Sequence, residues 1–144
     1  MEALDLTLAP PRPPRAELAG IVFLPRTIDK VRATLPGGRL GAYAIAGFSE
    51  TMLEMLGIEL HDLTEAVRTA RSDEDVAAFV TSRANAGAIA RWQAYVLKRK
   101  PRGGNRDEAI AAYPFLAGRD DIGFSVDVLE EDDRLNFAAA TDRP

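Results

Sequence analysis

Between Leu18 and Ala33 the chain reads Leu-Ala-Gly-Ile-Val-Phe-Leu-Pro-Arg-Thr-Ile-Asp-Lys-Val-Arg-Ala, an apolar run that turns charged halfway along. Leu24, Ile28, Val31 and Leu35 recur at the spacing of a helix face turned toward a core. Arg26, Asp29 and Lys30 are threaded through the same stretch. A charge taken out of water without a partner is costly, so a fold that buries this segment must pair these side chains or gather them into a site. Arg26 and Asp29 are i, i+3 neighbours and Arg26 and Lys30 are i, i+4 neighbours, so all three can converge on one patch.

The rest of the sequence points to a mainly α protein: one compact helical domain of five to six helices over residues 15–137, with at most two short strands. It follows an extended proline-rich arm over 1–14 and precedes a flexible tail over 138–144. The arm ends in Ala-Pro-Pro-Arg-Pro-Pro, which favours polyproline geometry over helix. A first helix is expected from near Pro14 to Leu35, kinked or broken at Pro25, because proline removes an N–H and clashes with the preceding turn. Pro36-Gly-Gly38 should end it. Residues 40–46 alternate weakly and suggest a short strand or an extended loop. Ser49 reads as an N-cap for a helix ended by Gly57. Further helices are expected at about 61–70, from Ser72 onward, at about 86–99, and briefly after Asn105 until Pro114 interrupts. Ile122, Phe124, Val126 and Val128 alternate with small or polar residues at the strand period. The expected core includes Leu24, Ile28, Val31, Phe79, Val80, Ile89, Trp92 and Val96.

Composition removes several chemistries. The chain has no cysteine and one histidine, His61, which excludes disulfides, thiol catalysis and a histidine-cluster metal site within one chain. Only a carboxylate site for a hard cation stays open, and no metal and no cofactor is expected. A net charge of −4 argues against nucleic acid as a main partner. The basic run from Lys98 to Arg106 lacks interleaved aromatics and reads as a solvated helix end. The acidic run 130–133 lacks the loop spacing of a calcium hand and also reads as solvated. No apolar run reaches the roughly 20 residues of a membrane span, and the acidic Met-Glu-Ala-Leu-Asp-Leu start is unlike a signal peptide. The expectation is a cytoplasmic protein that avoids the membrane; a homo-oligomer is compatible with this composition.

Leu4-Asp-Leu-Thr7, the Pro-Arg-Pro-Pro-Arg segment and Phe23-Leu-Pro-Arg-Thr-Ile-Asp-Lys-Val-Arg-Ala33 together resemble a bacterial family catalogued as domain of unknown function 5069. The resemblance continues through Leu40-Gly-Ala-Tyr43, Leu56-Gly-Ile58, Glu65-Ala-Val67, Arg91-Trp92, Leu97, Pro101, Arg119-Asp-Asp-Ile122, Asp127 and Arg134. It implies a small bacterial single domain and carries no activity with it.

Two functions fit these residues. In the first, the chain binds a small anion or an acidic partner segment, with Arg26, Lys30, Arg15 and Trp92 as ligand-binding side chains. In the second, it is a cofactor-independent lyase, isomerase or hydrolase, with Asp29 as general base, Tyr43 as acid and Arg26 as clamp. A purely structural ion-pair network, tying the first helix to a loop through Asp121 or Asp127, accounts for the same charges without a ligand.

Overall fold

Helices dominate the computed structural model, which describes residues 1–141. A two-residue hairpin, β1 (Glu17–Leu18) and β2 (Ile21–Val22), precedes α1 (Leu24–Ala33), α2 (Phe48–Leu56), α3 (Leu60–Thr69), α4 (Asp73–Arg83) and α5 (Ala86–Lys98). A short α6 (Arg106–Ala112) and a long α7 (Ser125–Thr141) follow, with tight turns at Pro101–Gly104 and Pro114–Leu116. The chain is thus mainly α, with seven α-helices among the described residues and one two-stranded sheet. It divides into two compact units, Met1–Gln93 and Ala94–Pro144. Of the tail expected at 138–144, residues 138–141 belong to α7 and residues 142–144 lie outside the described residues.

The first helix is shorter than its apolar run suggests. Residues Ala19 and Gly20 both take left-handed φ values, 51° and 73°, and they turn β1 back on β2 with Leu18 opposite Ile21. Two positive-φ residues between short strands make a tight hairpin whose twist matches its arms. The expected helix from Pro14 is therefore replaced by this hairpin. The expected break does occur: Phe23, at φ 76°, separates β2 from α1, and Pro25 sits in the first helical turn, where its missing N–H would lack a helical partner anyway. From Ile21 to Val31 every residue is buried, and Leu24, Ile28, Val31 and Leu35 supply the apolar face as expected.

In the first unit α1 packs against α3, and α3 against α4. The N-terminal segment is pinned rather than loose. Leu6 donates to the Arg39 carbonyl at 2.8 Å, and Arg39 donates to that of Leu4 at 2.9 Å, so a single parallel bridge joins Asp5 to Arg39. Leu6, Pro11 and Pro14 are buried, whereas Leu8 is exposed. The 40–46 segment is loop. Gly47, not Ser49, stands at the N-cap of α2; Ser49 is wholly buried, its hydroxyl 2.9 Å from that of Thr27. Gly57 ends α2 in the left-handed region.

In the second unit Ala109, Leu116, Ile122 and Val128 form an apolar cluster flanked by Ile110, Tyr113 and Phe115. Asn105 caps α6 by accepting from the Glu108 N–H. Residues 122–128, whose alternation leaves strand or helix open, form a short loop over 122–124 and then the start of α7 at Ser125. Asp127 and Val128 both donate to the Phe124 carbonyl at 3.1 Å, and the acidic Asp127 suits a helix N-terminus. Two further expectations are corrected. Phe79 and Ile89 are half-buried rather than core, and Asp133 in the acidic run is buried.

Candidate functional site

The charges of α1 are buried. Arg26 is 2% exposed, Asp29 4% and Lys30 7%. Asp29 is held by Arg12, a residue of the proline-rich segment. The Arg12 backbone N–H donates to Asp29 Oδ2 at 2.8 Å, Nη2 donates to Oδ1 at 3.0 Å, and Nε reaches both oxygens at 3.1–3.2 Å. The other edge of the same guanidinium meets Asp73, at 2.6 Å from Nη1 and 3.1 Å from Nη2. Planar guanidinium forks suit paired carboxylates. Burial works against the charge of Arg12. Hydrogen bonds to Asp73 and then to Asp29 outweigh it, so the group titrates above the ordinary arginine value.

Local sequence explains this arrangement. Pro11, Pro13 and Pro14 fix the backbone on both sides of Arg12 and limit its freedom before the ion pair forms. Asp73 belongs to the Asp-Glu-Asp first turn of α4, where acids complement the helix dipole. Arg26 lies against aromatic rings, with its guanidinium carbon 5.8 Å from the Phe23 centroid and 5.5 Å from that of Tyr43. Its Nη1 donates to the Arg12 carbonyl at 3.3 Å. Lys30 Nζ stands 5.6 Å from the same Phe23 ring. Phe23 reaches both cations because its left-handed backbone turns the chain into α1 at that point.

Trp92 has a different role. It is wholly buried, its indole N–H donates to the Val22 carbonyl at 2.8 Å, and it packs edge-on against Phe23 and Phe48 at 6.4 and 6.1 Å. Its neighbour Gln93 accepts from the Val22 N–H at 2.7 Å, so consecutive residues of α5 satisfy both backbone groups of Val22. A wholly buried ring locked into this aromatic trio is a core element and presents no surface to a ligand. Arg15 is exposed and Tyr43 half-buried. The structure therefore gathers Arg26, Asp29, Lys30 and Tyr43 around Phe23 and Arg12, and puts Trp92 in the core beside Phe23.

Sequence reasoning missed Arg12, Asp73 and Phe23. The signals were an arginine fixed between prolines, an acidic helix start and an aromatic next to buried cations. Asp29 faces four donor contacts from Arg12, which leaves little of its carboxylate open for proton abstraction. Among the described residues no group of three or more histidine, aspartate or glutamate side chains is arranged to hold a metal ion, and no helix is long and apolar enough to cross a membrane.

None of the curated proteins matches the chain. The sequence profile of the family described as Domain of unknown function (DUF5069) matches residues 8–135, a span that includes Arg12, Phe23, Arg26, Asp29, Lys30, Tyr43 and Asp73, and the chain belongs to that family.

Proposed function

We propose that this chain is a non-catalytic binding domain of the bacterial cytoplasm, working without a cofactor, in which Arg26 and Lys30 hold a small carboxylate or phosphate anion. One observation carries the reading: two cations one helical turn apart both lie within 6 Å of a single ring centre, that of Phe23, at 5.8 and 5.6 Å. Cation–π contact fixes the position of each charge before a ligand arrives, and pre-organised cations lose little entropy when they bind an anion. Tyr43 sits on the Arg26 guanidinium from a loop whose Gly41, Ala42, Ala44 and Ala46 are exposed. Because Arg26 and Lys30 are 2% and 7% exposed, an anion reaches them only if covering segments such as this loop move. The occupied carboxylate of Asp29 favours binding over the alternative of general acid–base catalysis.

Thermal unfolding with inorganic phosphate, succinate and citrate tests the reading. A ligand at about one hundred times its Kd should stabilise the native state by about 2.7 kcal/mol. The shift should vanish in Arg26→Met and Lys30→Met. Absence of any shift with all three anions, in a wild-type protein that unfolds reversibly, refutes it.

A further inference from the structure

The second unit holds an open cavity of about 310 Å³, a volume in the range of small-molecule sites. Its apolar walls are Pro101, Ala109 and Ile122, and its charged lining is Lys100, Arg106 and Asp120. Arg106 is fixed in place. Its Nη1 donates to the Ile122 carbonyl at 2.9 Å, and its Nη2 donates to those of Leu116 and Arg119 at 3.1 and 2.7 Å. Every acceptor is a neutral carbonyl, so these bonds position the cation, whose charge is also felt by the Asp121 carboxylate. The turn that brings Lys100 to the cavity runs through Arg102 and Gly103, both left-handed at φ 54° and 65°. A non-glycine residue in that region is strained, and such strain concentrates at binding sites.

We propose that this cavity binds a small zwitterion of the α-amino-acid class. Lys100 and Arg106 face its carboxylate, Asp120 faces its ammonium, and Pro101 with the exposed edge of Ile122 receives an apolar side chain. The charge pattern selects this class. A simple carboxylate meets repulsion from Asp120, a simple amine meets two cations, and a fully hydrated inorganic anion gains nothing from the apolar surface of Pro101 and Ile122. The site lies within residues 100–123, shares no residue with the Arg26 cluster, and does not rest on the function proposed for that cluster.

Titration calorimetry of the full chain with three molecules of one carbon frame tests this: L-leucine, 4-methylpentanoate, which lacks the amine, and 3-methylbutylamine, which lacks the carboxylate. Leucine should bind with a Kd of about 1 mM or tighter, and each analogue about tenfold more weakly, because each loses one charge-assisted contact. Lys100 and Asp120 are exposed, so Lys100→Met and Asp120→Asn should fold normally and bind leucine about tenfold more weakly. Arg26→Met should bind it as wild type does. The proposal is overturned by absence of leucine binding, by equal affinity for 4-methylpentanoate, or by wild-type affinity in Asp120→Asn. Loss of leucine binding in Arg26→Met alone also overturns it, by assigning the ligand to the other site.

Discussion

Arg12 and Asp29 are joined twice over, by a backbone N–H at 2.8 Å and a side-chain fork at 3.0–3.2 Å. The same guanidinium then reaches Asp73 on α4, so one arginine ties the proline-rich segment to two helices. The two carboxylates differ in burial: the Asp29 side chain is 6% exposed and that of Asp73 is 28% exposed. Arg12→Met leaves Asp29 as a buried, under-compensated charge and should destabilise the protein by about 3 kcal/mol. Asp73→Asn removes only the more solvated partner and should cost about 1 kcal/mol or less. Urea unfolding of the two variants gives the order, and a larger loss in Asp73→Asn would falsify the assignment of Asp29 as the buried anchor.

Pro25 stands in the first turn of α1 just after the left-handed Phe23. Its ring breaks no helical hydrogen bond there. Pro25→Ala should therefore lower stability by about 0.4–1 kcal/mol at most, chiefly by giving the unfolded chain more freedom. If proline kinked the interior of a continuous helix, the same change would raise the melting temperature instead.

The face of α1 was legible in the sequence because Leu24, Ile28, Val31 and Leu35 repeat with the helical period, and a local period survives whatever packs against it. Burial of Arg26, Asp29 and Lys30 followed from their apolar neighbours. The partner of Asp29 did not, since Arg12 lies seventeen residues away in the chain and no periodicity encodes a non-local ion pair. The hairpin at 17–22 was hidden for a related reason. Ala19 and Gly20 make its turn, but alanine is a poor turn marker and the surrounding apolar residues fit a helix equally well. At 122–128 four alternating apolar residues imitate a strand. The actual structure is decided by the turn at Ile122, which donates to the Arg119 carbonyl, and by the helix start at Ser125.

Gly38 follows the end of α1 and is packed against its last turn. A Cβ there would fall 2.5 Å from the Ala33 carbonyl oxygen and 2.9 Å from that of Arg32. Both are backbone atoms of a buried helix and cannot swing aside. Gly38→Ala should cost about 1–3 kcal/mol. Gly37 has a left-handed φ of 91° but open space around its Cα, so Gly37→Ala carries a conformational penalty of only about 1 kcal/mol. Chemical denaturation midpoints should rank Gly38→Ala below Gly37→Ala; the opposite ranking means the segment relaxes away from α1.

Arg119 links Asp121 at 3.0 Å and Glu131 at 3.3 Å, and Arg134 also binds Glu131. Hydrogen bonding to Arg119 lowers the Asp121 carboxyl from its ordinary 3.8. Bonding first to Arg134 and then to Arg119 lowers that of Glu131 from 4.5. Because the folded values are depressed, the network stabilises the native state above the ordinary carboxylate range and loses that contribution as pH falls through the lowered values. Arg119→Ala should accordingly melt below wild type at neutral pH and converge on it in strong acid. A melting gap that stays constant from neutral pH into that acid range would show that Arg119 acts through packing rather than charge.

Trp92 combines apolar burial with one obligatory hydrogen bond, to the Val22 carbonyl at 2.8 Å. Two substitutions separate these contributions. Trp92→Ala should cost about 3–5 kcal/mol by opening a cavity beside Phe23 and Phe48. Trp92→Phe keeps most of the apolar volume but leaves the Val22 carbonyl without its indole donor, for about 1–3 kcal/mol. Val22 is the last strand residue before Phe23, and Phe23 carries Arg26 and Lys30 on its ring. If the α1 cluster binds an anion as proposed, loosening this junction should weaken that binding in Trp92→Phe, even at temperatures where the variant is fully folded. Equal affinity for phosphate in wild type and Trp92→Phe, measured by calorimetry on folded protein, would mean that the aromatic trio supports the fold without positioning the cations.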